Sequence, residues 1–346
     1  MRLLVVGGTG FIGPHVIREL VQQGHTVAVL HRGTSETELP ASVERIHGDR
    51  IQLPSLRNRI ADWHPEVVLD LILGSGAQAE ALVSAIRGIA RRVVAASSGD
   101  VYRACGLLHG IEEGPLQPMP LTEDSDLRTK SQTYPVETLR IVRDTMYPWL
   151  DEEYDKIQVE RAIMADASMP GTVVRLPMVY GPGDVGHRLF PILKRVHDSR
   201  PAILLEETAA SWRGPRGYVE NVAAAIALAA VSERAAGRTY NVAETPALTE
   251  LEWEEKVARA AEWRGKFVIL PMNQMPVHLQ IPGNYAQHWV MDSSRIRAEL
   301  GYRERVPMEE ALLRTIAWEG ANPPAHVDPA RFDYAAEDAA FEPRSW

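Results

Sequence analysis

Three glycines, Gly7, Gly10 and Gly13, follow an apolar run at residues 3–6 and lead directly into an amphipathic stretch. Glycines in this G-x-x-G-x-x-G pattern let an anion approach main-chain N–H groups closely, and the helix that follows turns its positive end to the same point. The spacing suits the pyrophosphate of a dinucleotide. The second apolar run, residues 26–30, leads into His31, Arg32 and Gly33. A carboxylate there would hold the ribose hydroxyls of NAD and repel a 2′-phosphate. Arg32 offers that phosphate a charge-assisted partner, so NADP is favoured over NAD; the alternative is a solvated loop charge.

Short apolar runs at residues 3–6, 26–30, 43–47, 67–73 and 93–96 read as five strands separated by helical patterns. In the first of these patterns Ile12, Val16, Ile17, Leu20 and Val21 recur at helical spacing, and Gly24 stands where a helix end wants a left-handed residue. Strands alternating with helices imply right-handed crossovers and a parallel sheet buried on both faces, the doubly wound Rossmann-type α/β architecture. Residues 103–150, rich in Gly and Pro at 106–120 and with Pro135 and Pro148 bracketing a short helical stretch, read as loop plus insertion near the ligand-binding edge. A helix follows at 154–167, a strand at 172–176, a helix at 219–231, a strand at 239–242, and helices at 249–263 and near 307–318. The division expected is a dinucleotide-binding domain over 1–180 with 215–245 returning to it, a smaller α+β substrate domain over 181–214 and 246–320, and a C-terminal arm over 321–346, packed or frayed.

At 346 residues, with 45% hydrophobic and 24% charged residues, the composition is that of an ordinary folded protein of about two units. Thirty-seven Lys and Arg against 46 Asp and Glu give a net charge of −9, which disfavours nucleic acid as a partner. Cys105 is the single cysteine, so no internal disulfide forms, and no Cys/His pairs stand at zinc spacing. The longest near-continuous apolar run, residues 222–231, is about half the ~20 residues needed to cross a bilayer. No membrane span or secretory segment is expected, which points to the cytoplasm and a small-molecule substrate.

Several further motifs stand in a fixed order along the chain. The turn Gly7-Gly-Thr9-Gly10-Phe11-Ile12-Gly13 comes first, then Gly48-Asp49 with Arg50 beside it, and Leu69-Asp70-Leu71-Ile72. Ser97-Ser98-Gly99-Asp100-Val101-Tyr102 and Arg175-Leu-Pro177-Met-Val-Tyr-Gly-Pro182 follow, then Tyr218-Val-Glu-Asn-Val222, Tyr240-Asn241-Val242 and the segment 292–301. In this order they resemble the extended short-chain dehydrogenase/reductases, in the branch of the NAD-dependent, nucleotide-sugar epimerases and dehydratases. The resemblance implies cofactor contacts at Gly7, Thr9, Gly10, Phe11, Ile12, Gly13, Arg32, Asp49, Arg50, Leu71 and Ile72, with Pro177 walling the nicotinamide.

It also implies a Ser, a Tyr and a Lys acting on a carbinol or carbonyl, and Ser98 fills the serine position, four residues before Tyr102. The Tyr serves as general acid/base and the Lys lowers its pKa. The family's Tyr-x-x-x-Lys spacing is missing: Tyr154 would call for a Lys where Gln158 stands, and Lys156 for a Tyr where Glu152 stands. Tyr154 and Lys156, two apart, would diverge by roughly 200° on a regular helix. They converge if Tyr154 sits in an irregular turn before the helix, and Tyr134 or Tyr147 could substitute for it.

For a nucleotide-sugar pyrophosphate the resemblance calls for cations in the cleft. Arg188, Lys194, Arg195, Arg213 and Arg216 are available, Arg216 and Arg188 being the assigned substrate contacts. However, Pro177-Met178 stands where nucleotide-sugar relatives carry Asn. The expected activity is therefore NAD(P)-dependent hydride transfer on a sugar-like hydroxyl or ketone, with two rivals: a reductase of a non-nucleotide ketone, and a cofactor-binding sensor or scaffold without chemistry. Apolar residues on two helices, among them Ala81, Leu82, Ala85, Ile86, Ile157 and Ile163, suit a homodimer, or they cover the sheet.

Overall fold

Each apolar run at the start of the chain becomes a strand whose alternate side chains enter two different cores. Leu3 and Val5 of the first strand join one cluster, and Leu4 and Val6 the other. A strand buried on both faces has no polar side to show, which is why the runs are continuous rather than alternating. The computed structural model describes residues 1–33, 37–131 and 134–341.

In chain order the strands are β1 (Arg2–Val6), β2 (Thr26–His31), β3 (Glu44–His47), β4 (Val67–Asp70), β5 (Arg92–Ser98), β6 (Gly171–Leu176), β7 (Met178–Tyr180), β8 (Ala202–Glu206), β9 (Arg216–Tyr218), β10 (Arg238–Asn241) and β11 (Lys266–Leu270). Seven of them form one parallel sheet in the order β10-β6-β5-β4-β1-β2-β3. β7 pairs with β9, and β8 with β11, in two small parallel sheets. The strand order reverses between β1 and β4, and ligands of such sheets lie in the crevice beyond the carboxyl ends of those two strands. The strand expected at 67–73 stops at Asp70, so residues 71–73 form the loop that borders this crevice.

The helices are α1 (Gly13–Gln22), α2 (Leu53–Trp63), α3 (Gly76–Ile86), α4 (Arg103–Leu108), α5 (Val136–Thr145), α6 (Lys156–Met164), α7 (Phe190–His197), α8 (Glu207–Ser211), α9 (Val219–Val231), α10 (Glu250–Ala260), α11 (Ser294–Leu300), α12 (Met308–Ala321) and α13 (Tyr334–Phe341). α1 and α9 cover one face of the sheet, and α2, α3 and α6 the other. The alanine-rich α9 is buried along most of its length because it is wedged beside α1 against the sheet. No helix among the described residues is long and apolar enough to cross a membrane.

The stretch read as a loop with an insertion holds two helices: α5 fills the helical stretch expected between Pro135 and Pro148, and α4 lies in the part read as loop. α5 buries Leu139 with Leu150 and Tyr154, closing over the entry to α6. Leu82, Ala85, Ile86, Ile157 and Ile163 are spent inside the chain, the first three and Ile163 against the sheet. Ala77, Glu80, Ser84, Gln158, Arg161 and Met164 are the exposed residues of the two helices, so the pair turns a mostly polar face outward. The described part of the C-terminal arm is packed: Glu337 of α13 is bound by Arg195 of α7 at 2.5 Å, and Phe332 meets Phe190 edge-on.

Candidate active site

The three glycines of the opening turn do three different things. Gly7 has φ +81°, and a Cβ there would meet Ile72 at 2.7 Å. A Cβ on Gly13 would strike the backbone of Gly7 and Gly8 at 2.5 Å, so this glycine lets α1 pack onto the turn. Gly10 is exposed, and the nearest atom to a Cβ there is the Gly7 carbonyl oxygen at 3.7 Å. Its bare main chain opens on the crevice. Ile12 precedes α1 without a side-chain cap, Pro14 stands in the first turn, and no acidic residue lies there. The orphan N–H groups of that helix end therefore suit an anion, and the cradle fits a pyrophosphate.

Around the turn, Phe11 and Ile12 pack against the core, and the Thr9 carbonyl accepts from Thr37 Oγ1 at 2.8 Å. Arg32 is exposed just past β2 and makes no hydrogen bond or ion pair among the described residues. Asp49 accepts from the Ile51 N–H at 3.0 Å, capping a single turn. Arg50 does not face outward: it donates to the Ile72 carbonyl at 2.6 Å and pairs with Asp70 at 3.2 Å. Burial holds the Asp70 carboxyl above the usual range in spite of Arg50. Leu71 and Ile72 are half-buried at the lip of the crevice, Leu71 donating to the Val6 carbonyl.

At the other end of the crevice, Asp155 caps α6 by accepting from the Ile157 N–H at 3.0 Å. The helix therefore starts at Lys156 rather than at 154, and Tyr154 lies in the turn before it. That offset brings the two side chains into one neighbourhood: the Lys156 amine lies 5.8 Å from the centre of the Tyr154 ring and 5.4 Å from that of Trp149. The amine is buried and donates to the carbonyls of Leu73 at 2.5 Å and Ala96 at 3.2 Å. Loss of water drives its pKa down to about 8.

The Tyr154 hydroxyl donates to Asp100 Oδ2 at 2.7 Å. Ser98 caps the turn after β5, its Oγ accepting from the Asp100 N–H at 3.2 Å, and its hydroxyl also lies within hydrogen-bonding influence of Tyr154 and Asp100. Burial, then the Asp100 charge, pushes the Tyr154 phenol well above its usual range. Burial likewise raises the Asp100 carboxyl. Tyr134 lies beside Tyr154, ring centres 6.0 Å apart, whereas Tyr147 stacks toward Trp149. Asp100 is the residue that sequence reasoning passed over, although it sits inside the Ser97–Tyr102 motif; only its burial and its partner mark it.

Tyr102, by contrast, belongs to the frame. Its hydroxyl donates to Asn241 at 2.6 Å and accepts from Arg175, and Arg175 forms a two-pronged pair with Glu160 of α6. This buried network ties β5, β6, β10 and α6 together beneath the site.

Beyond Ser98 the wall is apolar and aromatic, with Met178, Trp212, Tyr285, Trp289 and Met291 in one cluster. A Cβ on Gly99 would meet Met291 Sδ at 2.5 Å. Pro177 is half-buried between β6 and β7, against Gly217. The cations offered for a pyrophosphate all have carboxylate partners: Arg188 with Asp184, Lys194 with Asp198, Arg195 with Glu337, Arg213 with Glu252 and Arg216 with Glu250.

This geometry agrees with comparisons to known proteins. The model of the NAD dependent epimerase/dehydratase family matches residues 3–121 and 153–243. The chain is 30% identical to the 2′-dehydrokanamycin reductase of Streptomyces kanamyceticus over 268 residues, which are 75% of this chain and 66% of that protein. It therefore spans just under two thirds of that relative's length. It is 28% identical to the 2-alkyl-3-oxoalkanoate reductase of Stenotrophomonas maltophilia, over 69% of each chain. The UDP-glucose 4-epimerase of Thermus thermophilus, solved with NAD, shares the fold with a TM-score of 0.64 at 22% identity, covering 93% of this chain and all of that one. The chain belongs to the NAD dependent epimerase/dehydratase family.

Proposed function

We propose that this protein is an NADP-dependent oxidoreductase that interconverts a ketone and its alcohol on a sugar-like molecule carrying no nucleotide. The observation that carries this reading is the pairing of Arg216 with Glu250 at 2.5 Å. A guanidinium whose Nη2 is already held by a carboxylate cannot offer a pyrophosphate its full two-pronged grip, and here it is Nη1 that is left without a partner among the described residues. The aromatic wall at Trp212, Tyr285 and Trp289 suits the faces of a ring, and two relatives are named as reductases of non-nucleotide ketones.

In this reading the glycine turn and the start of α1 hold the pyrophosphate, and exposed Arg32 takes the 2′-phosphate. The nicotinamide, when bound, supplies or accepts the hydride. Ser98 orients the reacting oxygen by a hydrogen bond, and Tyr154 gives that oxygen its proton or removes it. Lys156, fixed on the Leu73 and Ala96 carbonyls, places a positive charge beneath the site. Pro177 and Met178 limit the space on the nicotinamide side and exclude water.

The test is to mix the purified protein with NADPH and a panel of keto sugars, oxidised aminoglycosides and 3-oxo acids, following the loss of NADPH absorbance, beside a thermal-shift series with nucleotide sugars. Turnover of a non-nucleotide ketone without stabilisation by any nucleotide sugar is expected. Stabilisation by the nucleotide moiety, with no ketone turned over, would reject the reading.

A further inference from the structure

We infer that Asp100 is the proton-holding partner of Tyr154, so that the proton given to the substrate oxygen is replaced from a buried carboxyl group rather than handled through Lys156. This rests on the oxidoreductase reading above and assigns Asp100 a role within the same site, acting through Tyr154.

The geometry is specific. Tyr154 Oη and Asp100 Oδ2 are 2.7 Å apart, and Asp100 is 2% exposed. The other carboxyl oxygen, Oδ1, is shut from solvent and has no hydrogen-bond partner among the described residues. A charged carboxylate with one bare oxygen is costly in such a place, and a protonated one far less so. The Lys156 amine, meanwhile, donates to two main-chain carbonyls and gives no hydrogen bond to the phenol.

The groups facing Asp100 include two cations, Arg128 and Lys156, which favour its charged form, but both give their hydrogen bonds to main-chain carbonyls rather than to its carboxyl. Ser98 closes β5, Lys156 opens α6, Cys105 lies on α4, His109 ends that helix, and Tyr134 precedes α5. Arg128, the nearest guanidinium, donates its Nε–H to the Asp100 main-chain carbonyl and its Nη1 to the carbonyls of Lys130 and Ser131. Its Nη2 lies 3.7 Å from Asp155. Burial is thus the leading influence on both acids, raising each above its usual range.

The step balances as follows. With reduced nicotinamide dinucleotide as the hydride donor, a C–H bond forms at the carbonyl carbon while the C=O π pair moves to oxygen. That oxygen takes the Tyr154 hydroxyl proton, and the phenolate takes the proton of the Asp100 carboxyl. Solvent returns a proton to Asp100 after the alcohol leaves. Without substrate the Tyr154 hydroxyl points to Asp100; with substrate it turns to the ketone and accepts from Asp100 instead. Reduction runs best with both protons on the pair, since one proton fewer leaves a phenolate beside a carboxylate. The rate therefore falls as pH rises through the Asp100 titration.

Asp100→Asn keeps the shape and the hydrogen bond but holds no transferable proton. It is expected to bind NADP as the wild type does and to leave KM unchanged, lower kcat by about tenfold to a hundredfold, and lose the fall of kcat with rising pH that the Asp100 titration sets. A proton inventory in mixed light and heavy water should show two protons in flight for the wild type and one for Asp100→Asn. Independently of turnover, the infrared difference between wild type and Asp100→Asn should contain a protonated-carboxyl C=O band that shifts in Tyr154→Phe. If Asp100→Asn does not fold, the wild-type inventory and the wild-type minus Tyr154→Phe spectrum decide the matter. A one-proton inventory, an unchanged pH profile in Asp100→Asn, or no carboxyl band overturns the role of Asp100 while leaving ketone reduction standing. A wild type that turns over no ketone defeats the functional reading instead, and the infrared band still decides whether Asp100 holds the proton.

Discussion

The Arg216 guanidinium donates to the Glu250 carboxylate at 2.5 Å while lying 4.7 Å from the centre of the Trp253 ring. Glu250 therefore competes with any anion for the Nη2 side of this guanidinium. Replacing Glu250 with Gln frees the guanidinium. UDP or another nucleoside diphosphate should then raise the Tm of Glu250→Gln by a few degrees and leave the wild type unmoved. Equal shifts in both proteins would show that the pair is no barrier to phosphate.

Arg32 stands exposed at the end of β2 with no protein partner among the described residues. Arg32→Ala should weaken NADP binding by about tenfold and leave NAD binding within a factor of about two, because a charge-assisted contact to the 2′-phosphate is removed. Titration of nicotinamide fluorescence with the two reduced cofactors measures this. Equal losses for both would place the 2′-phosphate elsewhere.

Gly10 and Gly13 should separate folding from binding. A Cβ on Gly13 would overlap the backbone of Gly7 and Gly8, which cannot yield as a flexible side chain does. Gly13→Ala should cost about 1–3 kcal/mol of stability or more, read by urea unfolding. Gly10→Ala meets nothing closer than 3.7 Å and should unfold like the wild type, yet its methyl enters the space of the pyrophosphate and should weaken cofactor binding severely. A Gly10→Ala protein with unchanged cofactor affinity would contradict the assigned cradle.

Lys156 makes stability depend on pH in a predictable direction. The folded chain releases its proton near pH 8, and the unfolded chain near 10.5. Between those values the unfolded state binds more protons, so raising pH stabilises the fold by up to about 3 kcal/mol. In Lys156→Met this contribution vanishes. Urea unfolding of both proteins at pH 7 and pH 10 should show the wild type gaining on the variant at the higher value, and a gap independent of pH would refute the depressed pKa.

The wound sheet was readable because burial on both faces demands continuous apolar strands, and the runs at 26–30 and 172–176 have no other use. The glycine turn was readable for a similar reason, since three bare positions at that spacing between strand and helix have few alternatives. Residues 103–150 were readable only in part: the helical stretch between Pro135 and Pro148 is α5, whereas α4 lies in the part read as loop. What α5 packs against was not readable: Leu139 meets Leu150 and Tyr154, contacts whose members lie too far apart for a local period to announce them. The apolar stripes of α3 and α6 were ambiguous, because a helix face looks the same whether its cover is a sheet or another subunit, and here much of it lies against the sheet.

The sequence by itself determined the parallel α/β framework, the bare glycine turn between β1 and α1 and the basic rather than acidic end of β2, since each follows from residue type and short-range spacing. Only the tertiary structure decided the chemistry at the far end of the crevice. The cap at Asp155 sets where α6 begins and so where Tyr154 points; the fold then brings Asp100 from the end of β5 to within 2.7 Å of it, and Glu250 from α10 onto Arg216. Such pairs join residues 34 to 54 positions apart, and what they do depends on how deeply they are buried, a property that no local pattern of side chains encodes.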